Sequence, residues 1–215
     1  RFDFRAQDIH LLLDGQATRE QILGEIRTHL IAPAQPDDVS LFFYAGHGSW
    51  VKNSSSQEAD KKDETLVPSD SNRGAADIRD KELAPLFNQV IDRHADLVVL
   101  VDSCHSGSIA RGFPAAATAR SAPPQLTAMV TPLPRVASPE SRGALIFSAA
   151  QDFQIANEKT IGGQMRGLFT SALQQVLAQT PTGESADATL ERVRALMLAS
   201  GLAQDPVLAG TPERR

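Results

Sequence analysis

Two nearly uninterrupted apolar runs constrain what this chain can fold into. Val39-Ser40-Leu41-Phe42-Phe43 and Asp96-Leu97-Val98-Val99-Leu100-Val101 are rich in β-branched and aromatic residues. Strands of that kind hide both faces, so they belong inside a sheet covered on each side by helices. Each run then breaks into small residues and glycine: Tyr44-Ala45-Gly46-His47-Gly48 after the first, Asp102-Ser103-Cys104-His105-Ser106-Gly107 after the second.

The segments between these runs carry helical spacing. Thr18 is a good cap for a helix with Ile22, Leu23, Ile26 and Leu30 inward, ending by Pro33. Leu83, Leu86, Phe87, Val90 and Ile91 predict a second helix over residues 80–93. Residues 9–13 read as a short strand closed by Asp14-Gly15, and Thr65-Leu66-Val67 as a small hairpin arm ending at Pro68. Residues 52–62 read as a polar surface loop. Further on, Ala144-Leu145-Ile146-Phe147 predicts a strand, 167–179 and 187–199 two helices, and Pro206-Val207-Leu208 an edge strand. The implied fold is an α/β sandwich with a mainly parallel sheet.

At 215 residues the chain fits one domain. Residues 112–142 break the pattern, with prolines at 114, 123, 124, 132, 134 and 139 amid Ala, Ser and Thr. They read as a flexible linker between a first part (1–111) and a second (143–215). A net charge of −5 without a basic stripe argues against nucleic acid as partner. No apolar run approaches a membrane span and no signal-like start is visible, so the expected location is cytoplasmic.

In parallel sheets, functional groups gather at the carboxyl ends of strands. His47 and Cys104, the only cysteine, both fall there. A thiol acts as a nucleophile only when ionised, and a neighbouring imidazole is a common means of ionising it. Glycine beside the His lets another backbone approach closely and can aim an amide at developing negative charge. The bland alternative is a buried small residue and an ordinary loop histidine. His105, adjacent to Cys104 on an extended segment, points away and makes a poor base for it. A metal held by His47, Cys104 and His105 lacks a fourth protein ligand, so none is expected. His10, His29 and His94 have no glycine neighbours and read as structural or surface residues.

The two glycine-flanked segments resemble the His and Cys motifs of caspase-like cysteine peptidases, above all metacaspases and the prokaryotic orthocaspases. Weaker matches run along the chain: Asp63-Glu64-Thr65-Leu66-Val67-Pro68-Ser69-Asp70, then Ile78-Arg79-Asp80-Lys81-Glu82-Leu83. Ser148-Ala149-Ala150, Gln154, Ala156, Glu158 and Gly167-Leu168-Phe169-Thr170 resemble the family's small-subunit half. The resemblance implies a three-layer α/β/α sandwich with about six strands. It also implies a Cys104–His47 dyad that hydrolyses peptide bonds through an acyl-enzyme, with the amides of Gly48 and Cys104 as oxyanion donors.

Asp102 then selects Arg or Lys before the scissile bond, beside Ala45, where many metacaspases carry Ser. Arg111, Arg120, Arg135 and Arg142 become candidates for self-cleavage. Many metacaspases use calcium; here Lys81 and Arg111 stand where further acids would serve, so calcium-independent action is expected. The family's domain opens with a strand and helix not visible here, and an upstream segment is expected to supply that strand. Rival readings are a catalytically silent signalling module, or a legumain-like or gingipain-like peptidase or transpeptidase.

Overall fold

The computed structural model describes residues 4–53, 61–104, 118–120, 122–124, 132–151, 154, 156–201 and 204–215. In chain order the strands are β1 Val39–Ala45, β2 Gly48–Lys52, β3 Lys62–Leu66, β4 Ile78–Arg79, β5 Asp96–Asp102, β6 Thr118–Ala119, β7 Leu145–Ser148, β8 Asn157–Ile161, β9 Gln164–Gly167 and β10 Val207–Ala209. The helices are α1 Arg19–Glu25, which continues as a π-helical turn over Ile26–Ile31, α2 Asp80–Ile91, α3 Leu168–Gln179 and α4 Ala186–Leu198.

The central sheet has the order β1-β5-β7-β10. β1, β5 and β7 run parallel and β10 antiparallel at one edge. This is the mainly parallel sheet the apolar runs require, with four strands among the described residues. Two antiparallel three-stranded sheets flank it, β2-β3-β4 and β6-β8-β9.

Each face of the central sheet carries its own core. Ile22, Ile26, Leu83, Phe87 and Val90 from α1, its continuation and α2 pack on Leu97, Val99 and Val101 of β5. Phe147 of β7 packs with Leu168, Phe169, Val176 and Val193 from α3 and α4. Alternate residues of β5 thus serve opposite layers, which is why the run carries no polar alternation. Thr18 caps α1, its side chain accepting from Gln21 N–H at 3.3 Å. No helix among the described residues is long and apolar enough to cross a membrane.

One expected strand is absent. Residues 9–13 form no ladder, and Ile9, Leu11 and Leu13 are all more than half exposed. Apolar residues fit a pleat, but a strand also needs a partner to bond with, and this segment pairs with none among the described residues. Two hairpin components had no counterpart in the sequence reading: β2, which pairs with β3, and the β8–β9 hairpin.

Candidate active site

β1 and β5 pair in register from Val39↔Asp96 to Ala45↔Asp102, so their carboxyl ends finish level. The chain leaving β1 is stitched to the end of β5 by Gly46 N–H, which donates to the Asp102 carbonyl at 3.3 Å. His47 follows, exposed, with its carbonyl accepting from Tyr44 Oη (2.8 Å) and Val67 N–H (3.0 Å). Gly48 is buried against the backbone of Cys104. A Cβ there would lie 1.7 Å from the Cys104 carbonyl oxygen, so only glycine fits.

Cys104 is fully buried. Its Sγ accepts from Ala156 N–H at 3.1 Å and donates to the Ala156 carbonyl at 3.4 Å. Burial pushes the thiol above its usual range, against the pull of the Ala156 and Arg120 backbone contacts. The Gly48 backbone joins the His47 and Cys104 segments. The imidazole itself makes no hydrogen bond to a described residue.

Asp102 is also fully buried, at the last position of β5. Its Oδ2 accepts from Thr170 N–H at 3.1 Å and from the Thr170 hydroxyl, while Oδ1 is buried without a partner. The amino end of α3 thus faces the carboxylate, an orientation that favours negative charge. A Cβ on Gly167 would lie 1.9 Å from Oδ2, so this glycine, too, is fixed by close approach. Burial raises the Asp102 carboxyl above the ordinary range, with Arg120 and Thr170 drawing it back.

The residue facing that carboxylate is Arg120, whose side chain is only 11% exposed. Its Nη1 donates to the Asp102 carbonyl at 2.9 Å and lies 3.8 Å from Oδ2. Its Nε lies 3.3 Å from Glu158 Oε2, a charge pair without hydrogen-bond geometry. The Arg120 carbonyl oxygen accepts two amides at once, Gly48 N–H at 3.0 Å and Cys104 N–H at 3.1 Å. Two amides converging on one oxygen are what stabilise an oxyanion in acyl transfer.

The neighbours of Arg120 extend the arrangement. Arg120 N–H donates to the Ala156 carbonyl at 2.9 Å, and β6 pairs antiparallel with β8 through Thr118↔Glu158 and Ala119↔Asn157. Beyond it, Ala122 N–H donates to Gly48 O and Ser49 Oγ donates to Ala122 O, each at 3.0 Å. Arg120 and Ala122 thus both bond to Gly48 beyond the end of β1, and Arg120 also to Cys104 beyond the end of β5. The groove of about 600 Å³ between α2 and the sheet includes none of Cys104, His47 or Asp102 in its walls. Arg120 lies against Gly48, Cys104 and Asp102 instead.

Of the other expected residues, Ala45 ends β1 beside Asp102 and is exposed. Arg142 binds Asp92 at 2.6 Å and Arg135 lies exposed in a coil, both outside this arrangement. His105 and Arg111 lie outside the described residues. Ser49 and Ala122 had no sequence signal, being short residues whose role is set by backbone position. Glu158 was legible as part of a motif, without its contact.

Two clusters bear on metal binding. Asp63, fully buried, is ringed by cations and amides: Arg79 at 3.3 Å, Lys81 at 3.9 Å and Asn53 Nδ2 at 2.9 and 3.1 Å. Lys81 also binds Asp80 at 2.7 Å. Calcium needs about six to eight oxygen ligands, so these residues do not fit it. Separately, donor atoms of His10, Glu25 and His29 lie within 4.8 Å of one another, with the two imidazoles stacked 3.4 Å apart.

Comparison with known proteins places the chain by sequence and by fold. The chain is 33% identical to Metacaspase-1 of Schizosaccharomyces pombe over 113 residues, half of this chain and 26% of that protein. It is 37% identical to Metacaspase-7 of Arabidopsis thaliana over 114 residues, 51% of this chain and 27% of that one. The aligned stretch thus spans about a quarter of these relatives' length. The fold also matches the crystal structure of a Geobacter sulfurreducens protein, with TM-score 0.60 and 20% identity over 94% of this chain and 77% of that one. The metacaspase peptidase C14 domain model matches residues 4–111, half of the sequence, and the chain belongs to that family.

Proposed function

We propose that this protein is a cysteine endopeptidase that cleaves after Arg or Lys, with Cys104 as nucleophile and His47 as its base. The observation that carries the reading is the meeting of three features around Arg120: a buried carboxylate for the guanidinium, two amides for the carbonyl oxygen, and the thiol of Cys104 at the same strand end. A basic side chain entering beside Asp102 would gain a charged partner in a site shielded from water, whereas an acidic one would meet repulsion. Ala45 would border the same pocket.

In the reaction, His47 takes the Sγ proton as sulfur attacks the carbonyl carbon. Gly48 and Cys104 N–H hold the oxyanion. The C–N bond then breaks, the amine leaves with the proton from His47, and a thioester remains on Cys104. Water adds to the thioester, gives a proton to His47, and the returned proton restores the thiol. The exposed imidazole has to approach the sulfur for the first step, a tightening common on substrate binding.

The partners of this activity are proteins or peptides with Arg or Lys before the cut, including the protein's own 112–142 segment. The open edge of β1, with Val39, Leu41 and Phe43 exposed, suits an added strand from an upstream segment. A fluorogenic panel carrying Arg, Lys, Asp or Asn before the reporter tests the specificity. Turnover of the Arg and Lys members, abolished in Cys104→Ala and His47→Ala, is expected. Cleavage after Asp refutes the basic specificity, and cleavage of none of the four refutes the peptidase reading and leaves a silent interaction module.

A further inference from the structure

One cluster of metal-ligating side chains lies outside the candidate active site, and the peptidase chemistry makes no use of it. His10 sits in the 9–13 segment, which pairs with no strand among the described residues. Glu25 ends α1, and His29 follows it at i,i+4 in the π-helical stretch. We propose that His10, Glu25 and His29 form a site for a divalent transition-metal ion of the zinc type, and that the ion clamps the 9–13 segment to α1.

Spacing carries the inference. A tetrahedral zinc with bonds of about 2.0–2.2 Å sets its ligand atoms about 3.3–3.6 Å apart. Glu25 Oε2 lies 3.2 Å from His29 Nε2 and 3.8 Å from His10 Nδ1, so one carboxylate oxygen already stands near that spacing from both imidazoles. Donor atoms of all three residues fall within 4.8 Å of one another. The rings stack with centroids 3.4 Å apart and 17° between their planes, which directs their lone pairs side by side. Turning each ring about χ2, a broad and soft torsion, brings the lone pairs to one point. The side chains of His10, Glu25 and His29 are 38, 34 and 33% exposed, which leaves room for that turn and for water as a fourth ligand.

The donors select the ion. Imidazole nitrogen suits zinc, copper, iron or nickel, whereas calcium and magnesium want oxygen. A plain ion pair accounts for less of the cluster. It needs one imidazole, and no hydrogen bond joins any of the three side chains to another. The helix also leaves α winding over Ile26–Ile31, where Ala32 N–H donates to the Arg27 carbonyl at 2.9 Å. Such π-turns are rare and recur at functional sites. Buried Ile22 and Ile26 fix this helix on the core, and Leu12 packs against the same core. Among the described residues no hydrogen bond ties 9–13 to α1, and a bound ion would supply the missing polar link.

The test uses the full chain without a polyhistidine tag, carrying Cys104→Ala so that the thiol takes up no metal. Equilibrium dialysis against zinc should give one ion per chain, and cobalt(II) in its place should show the visible absorption of a low-coordinate site. His10→Gln, Glu25→Gln and His29→Gln, each added to that background, should weaken zinc binding at least about tenfold. His94→Gln should leave it unchanged. The ion joins groups far apart in the unfolded chain, so zinc should raise the urea midpoint of the parent and not of the three variants. Each variant is compared with itself with and without zinc, so any change in its own stability drops out.

No zinc taken up by the parent, or uptake unchanged in all three variants, overturns the inference. So does uptake lost in His47→Gln and kept in the three, which would assign the ion to the candidate active site. Every readout is binding or stability, so the peptidase reading stands or falls separately.

Discussion

At the scale of single residues, the proposed selectivity rests on Asp102, and the environment of that carboxylate would make it depend on pH. Burial raises its carboxyl above the range of an exposed aspartate, near 3.9. Only the ionised form attracts a guanidinium, so preference for a basic side chain is present above the raised value and is lost as pH falls through it. The ratio of kcat/KM for an Arg reporter to that for its neutral citrulline counterpart isolates this group, since His47 acts on both equally. The ratio should begin to fall at a pH above the usual aspartate range. In Asp102→Asn it should be flat with pH and lower by roughly tenfold to a hundredfold at neutrality, the worth of one charged hydrogen bond. A pH-independent ratio in the unaltered protein contradicts this role. Gly48 and Gly167 show the same economy of space: each admits no side chain because its Cβ would meet the Cys104 carbonyl oxygen or the Asp102 carboxylate, respectively.

At the scale of elements, α3 links folding to selectivity. Its second residue, Phe169, is fully buried in the layer of Leu173, Val176 and Val193, while its third, Thr170, holds Asp102. Phe169→Ala should cost about 3–5 kcal/mol, read as a lower urea midpoint at unchanged slope. The residual folded protein should also lose preference for Arg, because Thr170 no longer arrives at a fixed angle. A shift under 1 kcal/mol would show that α3 is not anchored there. Elements also mark the limit of what the sequence disclosed. β1, β5, α2 and α4 were legible because burial on a fixed period leaves its mark in residue type. β8 and β9 were not, being short and polar, although Gly162-Gly163 between them, both at positive φ, is a hairpin turn signal that could have been read. Residues 9–13 carried the alternation of a strand and lacked an edge, which residue type does not encode.

Across the whole molecule, the His47 and Cys104 segments meet because two strands 57 positions apart in sequence run level in one sheet. That much of the site followed from the motifs. The filling of the site by Arg120 did not, since nothing in a Pro- and Ala-rich segment states where it will fold back. The cluster around Asp63 belongs to this scale too, because it ties β3 to β4 and α2 through Arg79 and Lys81. With those cations in place of metal ligands, reporter turnover should be unchanged by a chelator such as EGTA and by added calcium. Complete loss on chelation, restored by calcium, would show that another set of oxygens binds the ion.

The seating of Arg120 has a consequence for how such a protein behaves at any abundance. Its occupying peptide is part of the chain, so the dose at the site is the same in a dilute lysate and in a crowded cell. Dilution cannot relieve it. Any peptide that enters beside Asp102 would have to displace it, however many copies of the protein stand nearby.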